Sequence, residues 1–523
     1  MPRPRKPTSE SSLADQHLQA TDALIKQTHD GNERLLQNIR AEKARDVERE
    51  RAAKAKPYIE TLPNEILMEI FKIVCEEMSG FHRGDMSKHQ FRRPPVVISL
   101  VSSRWRTISL EQRELWRAFG ARLDDWENTT NASQRSVFRR FLQRSNDLPM
   151  DLWFASTMLN LEAGPTVLHD ALSRPHRVRR LAIFFEAGSA KRTFERLIKA
   201  DWPYLETLEI DVGPEARRLD IPATTINSGN GLAHLTQLRC NVDFIRRIPQ
   251  DNLSKLTTIQ IEGYFEASFR KHSWSFLLSL ARIPTLIELS IAGDLFDKPE
   301  NTVQTTVVAK NLKYFRCSDV MVAEWMWIEI AFPKLQLLVL QEVDLGSLRF
   351  PYSVEDYRIQ PRVHSALAPI LHTLVLAECE IGFGPVPTRF LGFATAPVTH
   401  LVIVDQRDYQ TDNVFDYLVS NSHQTYWPIL KTITYKGDSD EHTPITSPTD
   451  LLGFLKEQKT KEPLTLRLCV DDDLLNERGT QGDSKHWEEL EDSGLFESID
   501  WEEDVIPWPR RNLFSNQSQN LFL

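Results

Sequence analysis

The sequence predicts an α/β protein in which a short helical region precedes an elongated array of repeats whose strands form one parallel sheet. The first observation is a six-residue phrase, L-x-x-L-x-L with apolar residues at the L positions, which recurs in full ten times within residues 178–435. The second is its spacing, because successive phrases start 21 to 36 residues apart, about the size of one strand plus one helix or loop. The third is a group of short apolar runs with helical period at residues 62–119, which predicts helices before the array.

The chain begins with two segments of polar composition. Residues 1–12 contain Pro and Ser without apolar periodicity, and a disordered tail is expected there. Residues 13–56 contain no Pro and are rich in Ala, Glu, Lys, Arg and Gln, so a charged helix is predicted. Its thin apolar seam fits a coiled coil that dimerises the protein and equally fits a solvated single helix, and both interpretations stay open.

Three apolar runs follow within sixty residues. The first opens with Pro63, which suits the first turn of a helix because its missing N–H has no partner there. Such short helices bury little apolar surface between them, so one apolar face is expected to meet another body. The residues predicted to share one apolar face are Ile66, Leu67, Ile70, Phe71 and Val74 in the first run and Val97, Leu100, Val101, Trp105 and Ile108 in the second, over 96–108; in a third helix over 110–119, Leu115, Trp116 and Phe119 are predicted to point inward.

The order of motifs in this region resembles that of a known family. Leu-Pro-x-Glu-Ile-Leu-x-x-Ile-Phe starts at Leu62, Val-x-x-x-Trp at Val101 and Leu-Trp at Leu115, which is similar to the F-box of fungal F-box-like proteins that continue into irregular leucine-rich repeats. The segment Arg-Ser-Asn-Asp-Leu-Pro, ending at Pro149, resembles the segment that follows the box in that group. The chain departs from the family in two ways: the basic insert at 79–94 is long, and a serine at position 102 stands where the family often has cysteine.

This resemblance implies that residues 57–120 are an F-box that docks on a Skp-family adaptor and so joins a cullin–RING ubiquitin ligase. The chain would then be the substrate-recognition subunit of an SCF-type (Skp–cullin–F-box) E3 ubiquitin ligase, and would not itself be an enzyme. The alternatives are an adaptor-bound scaffold, or a repeat-based protein-binding module, that acts without a cullin. The residues that match the family motif, and are therefore the predicted adaptor-binding set, are Leu62, Pro63, Ile66, Leu67, Ile70, Phe71, Val101, Trp105, Leu115 and Trp116.

Residues 121–170 are predicted to join the box to the repeats. A helix is expected from Phe138 to Asp147, packed under the box. One side of the box is expected to cover the first turn of the repeats through Phe138, Phe141 and Leu142. An apolar strand is expected from Met150 to Phe154.

Residues 171–470 are predicted to form the repeat array, whose phrase is the strand signature of a leucine-rich repeat. Each unit is too small to bury its own apolar face, so neighbours must stack into a curved solenoid with a parallel sheet on the concave face. The positions between the apolar residues are expected to face the concavity, where a mixed hydrogen-bonding surface suits an unknown protein substrate. The candidate contacts are Gln237, Arg239, Gln260, Arg316, His372 and Lys431.

The C-terminal part differs in charge from the rest of the chain. Residues 471–504 contain 14 Asp or Glu against two basic residues, about −12, so the remainder of a chain of net charge −10 sums to about +2. A near-neutral body argues against a nucleic-acid surface. Residues 471–509 are predicted to be an acidic cap that closes the array, and 510–523 a disordered tail.

The sequence contains no motif for catalysis, a cofactor or a metal, and none is expected. No run of eighteen apolar residues exists, so no membrane partner is expected. The five cysteines are odd in number and far apart, which favours a reducing compartment, the cytoplasm and/or the nucleus. Cys240 and Cys317 occupy repeated apolar positions and are predicted to be small core residues.

Overall fold

The computed structural model describes residues 43, 45, 58–78, 93–122, 128–156, 167–185, 197, 200–212, 232–246, 248–263, 272–298, 306–345, 368–379, 395–404, 427, 429–436, 464–469 and 496–501. The chain divides into two units, Met1–Ile70 and Phe71–Leu523, and each is described by itself. Within the predicted N-terminal helix, the described residues Lys43 and Arg45 are helical and exposed. The two predicted tails, most of the basic insert and most of the acidic cap lie outside the described residues.

Short helices make up the N-terminal region, and prolines mark where two of them begin. Helix α1 starts directly after Pro63, whose carbonyl accepts a hydrogen bond from the Leu67 N–H at 3.1 Å. The next helix has Pro94 and Pro95 in its first turn, where no intrahelical N–H bond is lost. The described α-helices are α1 (Asn64–Met78), α2 (Pro94–Val101), α3 (Ser103–Glu111), α4 (Asn128–Arg144), α5 (Val167–Leu172), α6 (Val242–Ile245), α7 (Gln250–Leu253), α8 (Trp274–Ala281) and α9 (Val320–Glu329), with 3-10 turns at Tyr58–Thr61, Arg113–Trp116 and Pro175–Arg177.

The predicted second run is not one helix. The chain is extended at Ser102, whose side chain accepts a hydrogen bond from the Trp105 N–H at 3.2 Å and caps α3. Serine is a strong N-cap residue because its oxygen satisfies one of the N–H groups left open at a helix start. The run is therefore divided into α2 and α3, and no single helical period relates residues before and after Ser102.

The predicted third helix over 110–119 is wrong. Helix α3 ends at Glu111, a 3-10 turn follows, and residues from Ala118 form a strand that pairs in parallel with the strand beginning at Met150. Phe119 is buried as expected, at 1% exposure, but from a strand. The sheet thus begins earlier in the chain than the repeat phrase alone predicts.

All eleven phrases, including a looser eleventh at Leu464–Leu468, lie on strands. The strands are β1 (Ala118–Arg122), β2 (Met150–Ser156), β3 (Val178–Phe185), β4 (Thr207–Val212), β5 (Gln237–Asn241), β6 (Thr258–Glu262), β7 (Glu288–Ala292), β8 (Val307–Val308), β9 (Tyr314–Cys317), β10 (Ile330–Ala331), β11 (Leu337–Gln341), β12 (Thr373–Ala377), β13 (His400–Val404), β14 (Thr432–Lys436), β15 (Leu464–Cys469) and β16 (Phe496–Trp501).

One sheet contains fourteen of these strands in the order of the chain, while β8 and β10 pair with each other. Every neighbouring pair is parallel. The protein is therefore α/β with a long parallel sheet, compatible with a solenoid-like fold in which each unit lies beside its predecessor. The strand predicted near the C-terminus is present as β16; the helix predicted before it lies outside the described residues.

Both faces of the sheet are buried over much of its length. The apolar positions of the phrases form one face, with Leu208, Leu238, Ile259, Leu289 and Phe315 in register and at most 3% exposed. The other face was expected to be open, and the structure corrects that expectation. One row of that face, in register from β2 to β14 and with each side chain at most 8% exposed, consists of Trp153, Ala182, Glu209, Arg239, Gln260, Ser290, Arg316, Val339, Val375, Val402 and Thr434.

Candidate functional site

The ten residues predicted to bind the adaptor divide into core and surface. Leu67, Phe71, Leu115 and Trp116 are at most 2% exposed, so they are core residues. Three others are half-buried and three are exposed, a division that the sequence did not make. The half-buried residues are Leu62, Ile70 and Trp105, and the exposed ones are Pro63, Ile66 and Val101.

Helix α2 presents an apolar stripe to the solvent. Val97, Leu100 and Val101 lie at i, i+3 and i+4 and are 53%, 69% and 58% exposed, while Ile98 and the two prolines of the same helix are buried. The expectation that these three residues share one helix face with Trp105 and Ile108 is wrong, because the break at Ser102 divides the run into two separate helices. Ile108 is buried from α3.

Two further exposed apolar residues flank this stripe in sequence. Ile73 of α1 is 54% exposed and Leu110 of α3 is 40% exposed. Both belong to the unit that contains α2. A concentration of exposed large apolar side chains within forty residues is typical of a surface that another protein covers.

The core beneath α3 is built around Trp116. Its indole Nε1 donates a hydrogen bond to the Ser109 carbonyl at 2.7 Å, its ring centroid lies 5.0 Å from that of Phe141, and the Arg144 guanidinium lies 4.0 Å from its ring centre. Phe119 packs on Phe141 and Phe138 at centroid distances of 5.3 and 4.9 Å. Helix α4 therefore packs on the 3-10 turn that contains Trp116 through Phe141, and on strand β1 through Phe138 and Phe141.

Arginines tie the segment after α4 to the first strands. Arg177 donates to the Ser145 hydroxyl and the Leu148 carbonyl, at 3.0 and 3.1 Å, and Arg117 donates to the Pro149 carbonyl at 3.0 Å. This segment is the one that resembles the family sequence following the box. Its backbone carbonyls act here as structural acceptors.

A buried ionic cluster occupies the middle of the sheet face that was expected to bind substrate. Arg239 donates to Glu262 Oε1 at 2.7 Å and to Glu209 Oε1 at 2.5 Å, and all three side chains are at most 8% exposed. Burial disfavours the charged guanidinium, but the carboxylates of Glu262 and Glu209 outweigh it and raise the pKa of Arg239 above its ordinary value. Arg239 is thus part of the interior.

Gln260 and Arg316 are also buried, at 8% and 7% exposure. Gln260 lies 3.4 Å from Glu288 Oε1 through its amide nitrogen. Burial lowers the pKa of Arg316 to about 10, against the opposing attraction of Glu288. The side chains of neighbouring strands thus face one another, and two arginines that the sequence placed on an open surface lie among carboxylates.

The remaining candidate contacts lie nearer the solvent. Gln237 is half-buried, and its amide oxygen accepts a hydrogen bond from the Thr207 hydroxyl at 3.2 Å. His372 and Lys431 are exposed, each directly before the strand of its repeat. The structure therefore does not bring the six candidates together in one open site.

Sequence reasoning missed Val97 and Leu100 as surface residues, and it missed Ile370 and Ile429, which are 47% and 52% exposed. The signal for the first pair was the sequence of α2, Pro-Pro-Val-Val-Ile-Ser-Leu-Val. A helix that is apolar on all sides has to be buried by other protein surfaces on more than one side. The signal for the second pair was an isoleucine directly before the phrase, where six other repeats have Arg, His, Lys, Thr or Asn.

Cys240 and Cys317 are core residues as predicted, at 1% and 0% exposure, and burial raises the pKa of both thiols. In the part of the chain that the structure describes, no group of three or more His, Cys, Asp or Glu could hold a metal ion. No helix in that part is long and apolar enough to cross a membrane.

No known protein-family model matches the sequence, and no curated protein matches it significantly.

Proposed function

We propose that the protein is the substrate-recognition subunit of an SCF-type E3 ubiquitin ligase. The helical region would be an F-box that docks on a Skp-family adaptor, and the repeats would be leucine-rich repeats that hold a protein substrate. Catalysis would then come from proximity, because the ligase brings its ubiquitin-charged partner to a bound substrate. The chain would supply no catalytic group of its own.

The observation that carries this proposal is the exposed stripe of α2. A helix that turns Val97, Leu100 and Val101 to solvent gains nothing from them on folding, whereas burial in a partner stabilises each by about 1.5 to 3 kcal/mol of gross transfer free energy. Three residues at i, i+3 and i+4 are also the pattern by which apolar helices and grooves recognise each other. The stripe includes Val101, one of the motif positions that resemble the F-box, which supports an adaptor as the occupant.

The buried motif residues support the same proposal because they form a packed core. Leu115, Trp116 and Phe71 pack the region, and the ring of Phe71 lies 4.8 Å from that of Trp105. A fixed core lets α2 present its stripe in one orientation. Docking then costs less ordering entropy than it would on a loose segment.

Affinity capture of the full chain from cells of the source organism tests the proposal. Recovery of the adaptor together with a cullin supports the ligase subunit, and recovery of the adaptor alone supports a scaffold. Recovery of neither contradicts both. The variant Leu100→Asp with Val101→Asp should lose the adaptor. The control is Ile370→Asp, which alters a 47% exposed isoleucine far along the sequence and should retain the adaptor.

A further inference from the structure

The edge of the sheet at which the strands begin is formed by a series of turns. The residue directly before each phrase occupies the same place in its turn, and from β6 to β11 these residues form a ladder of hydrogen bonds. The bonds are Lys255 Nζ to the Ala233 carbonyl at 2.9 Å, Thr285 Oγ1 to the Leu256 carbonyl at 2.7 Å, Asn311 Nδ2 to the Pro284 carbonyl at 2.7 Å and Lys334 Nζ to Asn311 Oδ1 at 2.7 Å.

The ladder gives way to apolar residues at the next repeats. Ile370 before β12 and Ile429 before β14 are 47% and 52% exposed, and Pro397 stands at the same place before β13. None of these side chains can donate a hydrogen bond to a neighbouring turn. Strands β12, β13 and β14 are adjacent, so the two isoleucines are two strand spacings, about 10 Å, apart.

The described residues of the same edge include exposed lysines and contain no acidic residue. His372 and Lys431 follow the two isoleucines at a distance of two residues and are exposed, and Lys310 and Lys334 are exposed at the edge before β9 and β11. The described residues 306–314, 332–337, 368–373, 395–400, 427 and 429–432 contain no Asp or Glu. A partner with carboxylates would therefore meet attraction along this edge without repulsion.

The opposite end of the edge serves as a contrast. Tyr204 occupies the equivalent place before β4 and is 54% exposed, but Asp201 and Glu206 lie beside it in sequence and are exposed as well. An exposed apolar residue at this place is thus accompanied by acidic groups at one end of the sheet and by basic groups at the other.

We infer that Ile370 and Ile429, with His372 and Lys431, form a docking surface for an acidic segment of a partner protein. The segment would place two apolar side chains on the isoleucines and its carboxylates beside the Lys431 ammonium group and the polar ring of His372. A separation of about 10 Å is close to three residues of a polyproline II chain, which rises about 3.1 Å per residue and places the side chains of i and i+3 on the same face, so the anchors belong at i and i+3. The inference rests on the proposed function in that this partner would be the substrate.

Fluorescence anisotropy with the full chain and three labelled hexapeptides tests this inference. Glu-Leu-Glu-Glu-Leu-Glu should bind, while Lys-Leu-Lys-Lys-Leu-Lys and Glu-Ser-Glu-Glu-Ser-Glu should bind at least about tenfold more weakly. Ile370→Asp with Ile429→Asp should weaken the first peptide by a similar factor, and Lys431→Glu should weaken it too. Tyr204→Asp should leave the affinity unchanged, with circular dichroism confirming that each variant is folded.

Equal binding of the lysine peptide or the serine peptide, an unchanged affinity in the double isoleucine variant, or no binding of any peptide would overturn the inference. The chain's own acidic segment is the competing occupant. Replacing Glu488, Glu489 and Glu491 by Gln and Asp492 by Asn should leave the peptide affinity unchanged. A tenfold rise would show that this segment occupies the surface and would also overturn the inference.

The outcomes are separable from those of the proposed function. Loss of peptide binding with adaptor capture intact defeats the docking surface alone. Peptide binding with no adaptor capture defeats the ligase proposal and leaves the surface standing.

Discussion

The Nε atom of Arg239 donates a hydrogen bond to Glu262 Oε1 at 2.7 Å, and neither side chain is more than 8% exposed. Glu209 contacts the same guanidinium from the other neighbouring strand. A position that the repeat pattern places on an open binding face is therefore part of a buried ionic cluster, and its substitution should affect stability before it affects binding.

Arg239→Ala should lower the free energy of unfolding by about 3 to 5 kcal/mol, because it leaves two buried carboxylates without their cation. Arg239→Met with Glu209→Gln and Glu262→Gln should recover part of that loss. Denaturant titration measures the free energy of unfolding of both variants. The exposed Arg282 provides the control, since Arg282→Ala should change stability by no more than about 0.5 kcal/mol. An Arg239→Ala variant as stable as the Arg282→Ala variant would contradict the buried cluster.

Trp116→Ala should destabilise the protein by about 3 to 5 kcal/mol, because it removes a fully buried ring and its contacts with Phe141 and Arg144. The resemblance alone allowed Trp116 to be a docking residue, and the structure makes it core. Thermal unfolding of Trp116→Ala and of Leu100→Ala separates these roles. Leu100 is 69% exposed, and its truncation should leave the unfolding temperature nearly unchanged. Equal effects of the two substitutions would refute the division into core and surface.

Because of Asp319, the free energy of unfolding should fall as the pH rises from about 4 to about 6. Its carboxylate accepts hydrogen bonds from the N–H groups of Leu295, Phe296 and Val322, at 2.6, 2.9 and 3.0 Å. Burial nevertheless raises the pKa of Asp319 to about 6 from an ordinary 3.8.

The folded state therefore holds a proton between these two pH values that the unfolded state releases, and its stability declines by up to about 3 kcal/mol over that window. Asp319→Asn should abolish this component of the pH profile, measured by denaturant titration at pH 4 to 7. Identical profile shapes for the wild type and the variant would be evidence against it.

His400 should act in the opposite direction. Burial, with Arg467 and His372 adding repulsion, lowers the pKa of His400 to about 4, and its Nε2 lies 2.8 Å from the Thr434 hydroxyl. In the unfolded state this ring is protonated as the pH falls below about 6.5, whereas in the folded state it is protonated only near pH 4. The free energy of unfolding therefore falls as the pH drops from about 6.5 to about 4. His400→Gln should flatten that decline. Nuclear magnetic resonance titration of the ring checks the premise directly, and a midpoint near 6.5 in the folded protein would refute it.

The strands of the repeat array could be predicted from the sequence, because each phrase places apolar residues at the period of one strand face. The burial of the opposite face of the sheet could not be predicted from the sequence. Positions such as Val339, Val375 and Val402 were visible as apolar residues between the phrase positions, but their burial depends on what packs across the sheet. Arg239 and Arg316 read as surface residues in the sequence, and only the fold places Arg239 between Glu209 and Glu262 and buries Arg316 within the electrostatic influence of Glu288.

In the helical region the sequence identified the apolar residues but not the side each one faces. The period of one helix cannot continue through Ser102, which caps the next helix, so Val97, Leu100 and Val101 turn outward while Ile108 turns inward. The predicted third helix failed for a related reason. Ala118 and the residues after it extend the sheet by pairing with β2, a long-range contact that no local pattern encodes.

Isothermal titration of the purified full chain with the Skp-family adaptor of the source organism tests the central claim most directly. The wild type and Tyr204→Asp should bind with equal affinity, and Leu100→Asp should bind at least about tenfold more weakly while unfolding at the same temperature as the wild type. Equal affinities of all three proteins, or no binding by the wild type, would contradict the assignment of the α2 stripe as an adaptor-docking surface.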